Sequence, residues 1–461
     1  MNQLPASRKH GSFRGRIGIA REDITPPVGI YSRNWGAAEH DTADAIHRPL
    51  TLTAFTLTAT SGGDPLVLVD ADLGWWRRRQ LFQQFRERLL KELSLDTSRL
   101  IFALSHTHAS APLMDSDSSL PGSELLGDWM EHIYESTLSA IKRALSEADD
   151  AILDWHTGRC ALAAMRDLPD PDTSKTRMIC GFNPNVPADD TLLVGRVTAP
   201  SGTVRATLVN YACHPTTLAW ENTAISPDFV GAMRETIEEA TGATALFLQG
   251  MSGDLAPRHQ YVGDVEVADR HGRQLGFAAL ATLNDMEPAG NQLCFDGVVE
   301  SGAPLAVWRH QPSEVSTELR ASECTTDLAL KDWPSADELE RQRVACHDRA
   351  RKERLRRKRD IRRSLGDDAD FSMAVHVWRM GDAILVGGAG EAYSQLQQEL
   401  RCRFPQQPVI CMNLVNGWVG YLPPAELYDM DVYPVWQTPF DRGCLEQVTK
   451  VMINAIEELQ R

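Results

Sequence analysis

The chain has 461 residues, 43% hydrophobic and 24% charged, which is the composition of a large globular protein with ample material for a core. A net charge of -16 gives a field that repels nucleic acid and anionic membrane surfaces. No run reaches the roughly 18 apolar residues of a membrane-spanning helix, so neither nucleic acid nor stable membrane association is expected.

The chain opens on a basic, polar stretch, MNQLPASRKHGSFRGRIGIARE, with no apolar run before a small-residue cleavage site. It does not read as a secretory leader. Nine scattered cysteines without a CxxC pair read as reduced thiols, mostly small buried hydrophobes, and the expected location is cytoplasmic.

Three strand–loop–helix passages follow in chain order. Residues 65–72 (PLVLVDAD) form an apolar run ending in acids, then a helical pattern over 76–93. Residues 99–104 (RLIFAL) run into SHTHASAP, and an amphipathic helix is predicted over 125–145. A helix predicted over 228–240 precedes the run 243–249 (ATALFLQ), which ends in GMSGDLAP. Buried strands alternating with helices indicate an α/β fold with polar loops at strand carboxyl ends, where such sheets hold ligands. Two hairpins are also expected, 191–199 with 203–212 around Pro200-Ser201-Gly202, and 373–380 with 383–386 around Gly381-Asp382. The fold class is therefore a mixed, largely buried β-sheet flanked by helices, in one large domain covering 1–461. The stretch 335–365 stands apart as a charged helical insertion containing RARKERLRRKRDIRRS. It lacks interleaved aromatics for base stacking and reads as a solvated face.

Four places carry candidate chemistry. His106 and His108 in Ser105-His106-Thr107-His108 would share one face of an extended strand end, which suits metal ligation. Alone, such a pair is more often two ordinary histidines. His214 ends a predicted strand before Pro215 and could merely cap a turn. Glu391 follows an apolar strand ending in glycines; a place in the first turn of a helix over 392–400 is the plain alternative. The cluster Asn416-Gly417-Trp418-Val419-Gly420-Tyr421, with Tyr428 and Tyr433 beyond, would ordinarily be core. Trp35, Trp75, Trp76 and Trp220 lie near these loops and suit a pocket or the core equally.

Taken together the motifs resemble the neutral, non-lysosomal ceramidases, which are zinc-dependent amidases. The resemblance runs from about Gly18 to Tyr433. It rests on GIAREDITPPVG (18–29), Ile46-His47-Arg48, VDAD (69–72), SHTHASAP, YACHPTT, QGMSGDLAP, GGAGE and the segment 421–433. By position it implies one Zn²⁺ held by His106, His214, Glu391 and Tyr421, with other divalent metals also compatible with such donors. It places His108, Arg166 and Tyr433 in the catalytic pocket, and Gly250 and Trp418 against the substrate. The chain departs from the family in three respects. Gly250 stands where the family has a serine, Met165 stands where it has an asparagine, and the family's C-terminal immunoglobulin-like domain is not expected in this chain.

The resemblance implies a zinc-dependent hydrolase that cleaves an amide bond of a small soluble acylated amine or amide. Zinc–water chemistry serves an ester or lactone as well, and a non-catalytic scaffold is the third reading. The expected partner is a small-molecule substrate, with a homo-oligomer left open.

Overall fold

The computed structural model describes residues 7–461; the first six residues of the basic N-terminal stretch lie outside them. Eight strands build the main sheet: β1 (Gly11–Asp23), β2 (Thr51–Ala59), β3 (Leu66–Ala71), β4 (Leu100–Leu104), β5 (Asp149–Arg159), β6 (Thr191–Thr198), β7 (Val204–Tyr211) and β8 (Thr244–Gln249). Their order is β8-β7-β6-β5-β1-β2-β3-β4. The outer pairs β7/β8 and β3/β4 are parallel, and the pairs between them are antiparallel. A second sheet contains β9 (Leu319–Ala329), β10 (Asp370–Met380), β11 (Ala383–Gly388) and β12 (Val409–Met412), in that order. Both expected hairpins are present, as β6/β7 and β10/β11.

The near-continuous apolar strands are explained by burial on both faces. Alternate residues of each strand point to opposite sides. On one side Phe55, Leu68, Ile101 and Leu246 meet Trp378, Leu385, Ile410 and Met412 of the second sheet, so the two sheets share one core. On the other side Val209 and Phe247 pack under helices α3 (Phe229–Thr241) and α4 (Val265–Asn284). There Val67, Val69 and Phe102 pack under α1 (Arg79–Leu93) and α2 (Leu126–Ser146). Helices α7 (Ser394–Arg403) and α8 (Cys444–Leu459) cover the outer face of the second sheet. The result is four layers, helices–sheet–sheet–helices. Gly18 allows α2 to lie close on β1, because a Cβ there would fall 1.8 Å from the Ala144 carbonyl oxygen.

Three boundaries differ from the sequence reading. The first helix begins at Arg79, and Trp76 is a fully buried loop residue packed on Phe82 and Phe85. Glu391 lies in a two-residue strand, Glu391–Ala392, paired in parallel with Tyr421–Leu422; the helix after it starts only at Ser394. Strand pairing won over the helix-start position because the Glu391 N–H is taken by the Gly420 carbonyl at 2.9 Å. The charged stretch forms two helices, α5 (Ala336–Ala345) and α6 (Arg349–Leu365). A break at Cys346–Asp348 lets Asp348 cap α6 through the Arg351 N–H.

No helix of the described residues is long and apolar enough to cross a membrane. All nine cysteines are free thiols.

Candidate metal centre and its pocket

The site gathers at the carboxyl ends of β3, β4, β7, β8 and β11. His106 lies two residues past β4 with its backbone in the left-handed region at φ 70°, an uncommon place for a residue with a side chain. Its N–H is held by the Leu73 carbonyl at 2.9 Å. The chain therefore leaves extended geometry before His108, and the two rings stand edge to face, 4.8 Å apart. His214 follows β7, and Glu391 follows β11.

The donor atoms of His106, His214 and Glu391 lie within 4.8 Å of one another, and all three residues are buried. Nδ1 of His106 donates to the Gly74 carbonyl at 3.1 Å, and Nδ1 of His214 to the Ser252 carbonyl at 2.6 Å. A carbonyl oxygen only accepts, so each Nδ1 carries the proton and each Nε2 presents a lone pair. Those Nε2 atoms lie 3.3 Å and 3.0 Å from Oε2 of Glu391. Oε1 of Glu391 accepts the Trp418 indole N–H at 2.6 Å. Burial, reinforced by Arg166 and opposed by Glu391, holds the His214 imidazole down at about 4, so it is neutral at pH 7.

Three acceptors thus converge where water is excluded. Without a cation this arrangement is unfavourable, since the orphaned Nε2 of His106 alone costs about 1–3 kcal/mol. With a divalent ion it is a familiar two-histidine, one-carboxylate set. The backbone carbonyls and Trp418 orient the ligands as second-layer partners do in metal sites. Gly253 belongs to the same support: a Cβ there would meet the Glu391 carbonyl oxygen at 2.7 Å.

The remaining expected site residues surround this centre, with one placed differently. Tyr421 is brought beside Glu391 by the short parallel strand pair, and its ring stacks on His214 at 6.3 Å. The Arg166 guanidinium lies 5.3 Å from the Tyr421 ring and is anchored to the Gly253 carbonyl at 2.6 Å. Tyr433 is 5.4 Å from Tyr421, ring to ring. His108 sits between Trp35 and Trp75, at 5.2 Å and 4.9 Å, with neither ring nitrogen hydrogen-bonded. Burial, then the neighbouring His106 and His214, push its imidazole well below the usual range. Trp418 lines the inner cleft with His106 and Glu391. Gly250 stands apart from these cavities; it directly follows β8 and lies against Ala212, where a Cβ would sit 2.8 Å from the Ala212 nitrogen.

From this cleft a cavity of about 260 Å³ leads outward past His108, Arg166 and Tyr433. Trp35 and Trp220 line it, as the sequence allowed. Tyr261, Trp436 and three residues of α6, Glu353, Arg354 and Arg357, complete its wall. Sequence reasoning missed the α6 residues. They lie within a basic run that reads as a solvated face, and only the docking of α6 over the cavity distinguishes them. A larger surface cavity of about 500 Å³, around Arg14, Asp150 and Pro200, lies at the opposite strand ends and holds no histidine.

No protein-family model matches the sequence, and no curated protein matches it. Solved structures do match. The crystal structure of neutral ceramidase from Pseudomonas aeruginosa superposes with a TM-score of 0.65 and 16% identity, over 96% of this chain and 73% of that one. A ceramidase complexed with C2 gives 0.64 and 16%, over 96% and 74%. The chain has a neutral-ceramidase-like fold, with a buried His106–His214–Glu391 cluster at the carboxyl ends of its strands.

Proposed function

We propose that this protein is a zinc-dependent hydrolase that cleaves the amide bond of a small acylated amine or amide in the cytosol. One observation carries the reading: two imidazole lone pairs and a carboxylate converge in the dry floor of a pocket, a donor set suited to a catalytic ion with a position left for substrate or water. Tyr421 is the fourth ligand in this reading. A divalent ion held there supplies Lewis acidity toward a carbonyl and lowers the pKa of water.

The chain's own residues do the rest. His108, neutral at pH 7 and free at both ring nitrogens, takes a proton from the attacking water and delivers it to the leaving nitrogen. Arg166 is fixed through one nitrogen to Gly253, while its Nε has no partner and remains available to the carbonyl oxygen as charge builds there. The Tyr433 hydroxyl accepts from Arg357 at 3.3 Å, which leaves its own proton to donate to the same oxygen. The walls of Trp35, Trp75 and Trp418 keep bulk water away. The cavity of about 260 Å³ lies just under the about 300–1,000 Å³ of common ligand pockets, which favours a small substrate. The ceramidase fold of the two solved structures supports amide chemistry without fixing the substrate.

The test is metal analysis of the purified protein coupled to a screen of N-acyl compounds, followed by amine release. Stoichiometric zinc, with both metal and turnover lost in His106→Ala, is the expected result. Full activity in metal-free protein would overturn the reading.

A further inference from the structure

The outer cavity is positively charged within a protein of net charge -16. Arg166, Arg354 and Arg357 all line it, against one carboxylate, Glu353. That carboxylate is already committed, since it pairs with both Arg356 and Arg357 at 2.6 Å and 2.9 Å. Of the other α6 arginines, Arg359 pairs with Glu340 and Asp360 and Arg362 with Asp367, while Arg349, Arg351 and Arg363 have no ion pair among the described residues but do not line this cavity. Arg354, at the cavity mouth, has no ion pair among the described residues and lies 4.5 Å over the Trp436 ring. Arg357 is held toward the interior by Glu353, the Tyr433 hydroxyl and the Asn34 carbonyl. Those bonds use three of its N–H groups, and a guanidinium has five. Two donors therefore remain on a rigidly placed fork, next to a free guanidinium stacked on an aromatic ring. That arrangement suits a planar carboxylate better than a point cation would. Trp35, Trp220 and Tyr261 supply an apolar wall beside it.

We infer that the substrate carries a free carboxylate, as an N-acyl amino acid does, and that Arg354 at the cavity mouth and Arg357, which reaches inward from α6 to the edge of the inner cleft, dock this anion while the acyl amide reaches His108. The inference rests on the amidase reading above but concerns a different part of the site. It turns the charged stretch 335–365 from a solvated face into the specificity wall of the pocket.

The experiment compares N-acetyl-L-phenylalanine with N-acetylphenethylamine, which is the same amide without the carboxylate. Wild-type protein is expected to favour the first by about tenfold or more in kcat/KM, the size of one charge-assisted contact. Arg354→Gln, at an exposed position, should collapse that ratio through KM. Arg341→Gln, on α5 and outside every cavity of the site, should keep it. Equal kcat/KM for the two probes in wild type, or an unchanged ratio in Arg354→Gln, overturns the inference. Binding followed by tryptophan fluorescence separates it from the amidase reading. If neither probe is cleaved yet the carboxylate binds about tenfold tighter, the anion site stands and amide hydrolysis falls. If the two bind equally, the anion site falls, whatever is hydrolysed.

Discussion

Two buried polar clusters sit side by side at the carboxyl ends of the main sheet, and they are built on opposite principles. In the first, Arg234 of α3 grips Asp72 through one nitrogen at 2.7 Å and 2.6 Å and Asp70 through the other at 2.7 Å. Asp72 also accepts the Thr51 N–H and hydroxyl, and Asp70 accepts the Phe247 N–H. Donors meet acceptors at each of these contacts, with only Asp70 Oδ1 and Arg234 Nε left without a partner, and the cluster ties α3 to β3 and β8. In the second, His106, His214 and Glu391 meet acceptor to acceptor. Their hydrogen bonds point outward, to Gly74, Ser252 and Trp418, and leave the centre open. A closed cluster stabilises the fold. An open one is tolerated in an interior because something else completes it.

The largest expected effect comes from breaking the open cluster. His214→Ala should lower hydrolysis to background, and chelator should no longer shift its melting temperature. In wild type, chelation should remove about 4 kcal/mol if the ion is present at roughly a thousand times its dissociation constant. Scanning calorimetry with and without chelator reads both. A chelator-insensitive wild type would place the second cluster with the first. Next in size, Arg234→Met should destabilise by about 3–5 kcal/mol in urea melts, because two carboxylates are left buried without their cation. Adding Asp70→Asn and Asp72→Asn should recover much of that loss. Smaller again, Trp418→Phe removes the N–H that orients Glu391 and should weaken metal affinity about 10–100-fold in chelator competition. An unchanged affinity would mean that the indole only packs.

The smallest effect concerns His376 on β10, buried and accepting from Asn416 at 3.1 Å. Burial, partly opposed by Glu323, holds its imidazole down at about 4. The unfolded value is about 6.5, so the neutral form belongs to the folded state. The associated stability is present above pH 6.5 and is lost as the pH falls toward 4, at no more than about 1.4 kcal/mol per pH unit. His376→Gln should flatten the stability–pH curve over that window. An unaltered slope would show that the group does not titrate there.

Much of this was legible in the chain. Apolar runs of strand length named β3, β4 and β8, and turn chemistry at Pro200-Ser201-Gly202 and Gly381-Asp382 named both hairpins. His106, His214 and Glu391 could be singled out because each follows such a run, where ligands collect. Two things were hidden. Glu391 reads as a helix start because local propensity does not see Tyr421, thirty residues on, pairing beside it. Arg354 and Arg357 look like their neighbours in a basic run, since charge along a helix says nothing about which side is covered.

What the sequence determined by itself is the periodic and the local: buried strands, helices with one apolar face, turns, and donor types at strand ends. These follow from side-chain alternation and backbone preference, which act over a few residues. The tertiary structure alone decided that two sheets share a core, that VDAD supplies a closed ion-pair lock rather than ligands, and that α6 roofs the pocket. Those outcomes depend on contacts between segments hundreds of residues apart, as between Asn34 and Arg357. There, complementarity of shape and charge after folding, not local preference, selects the partner.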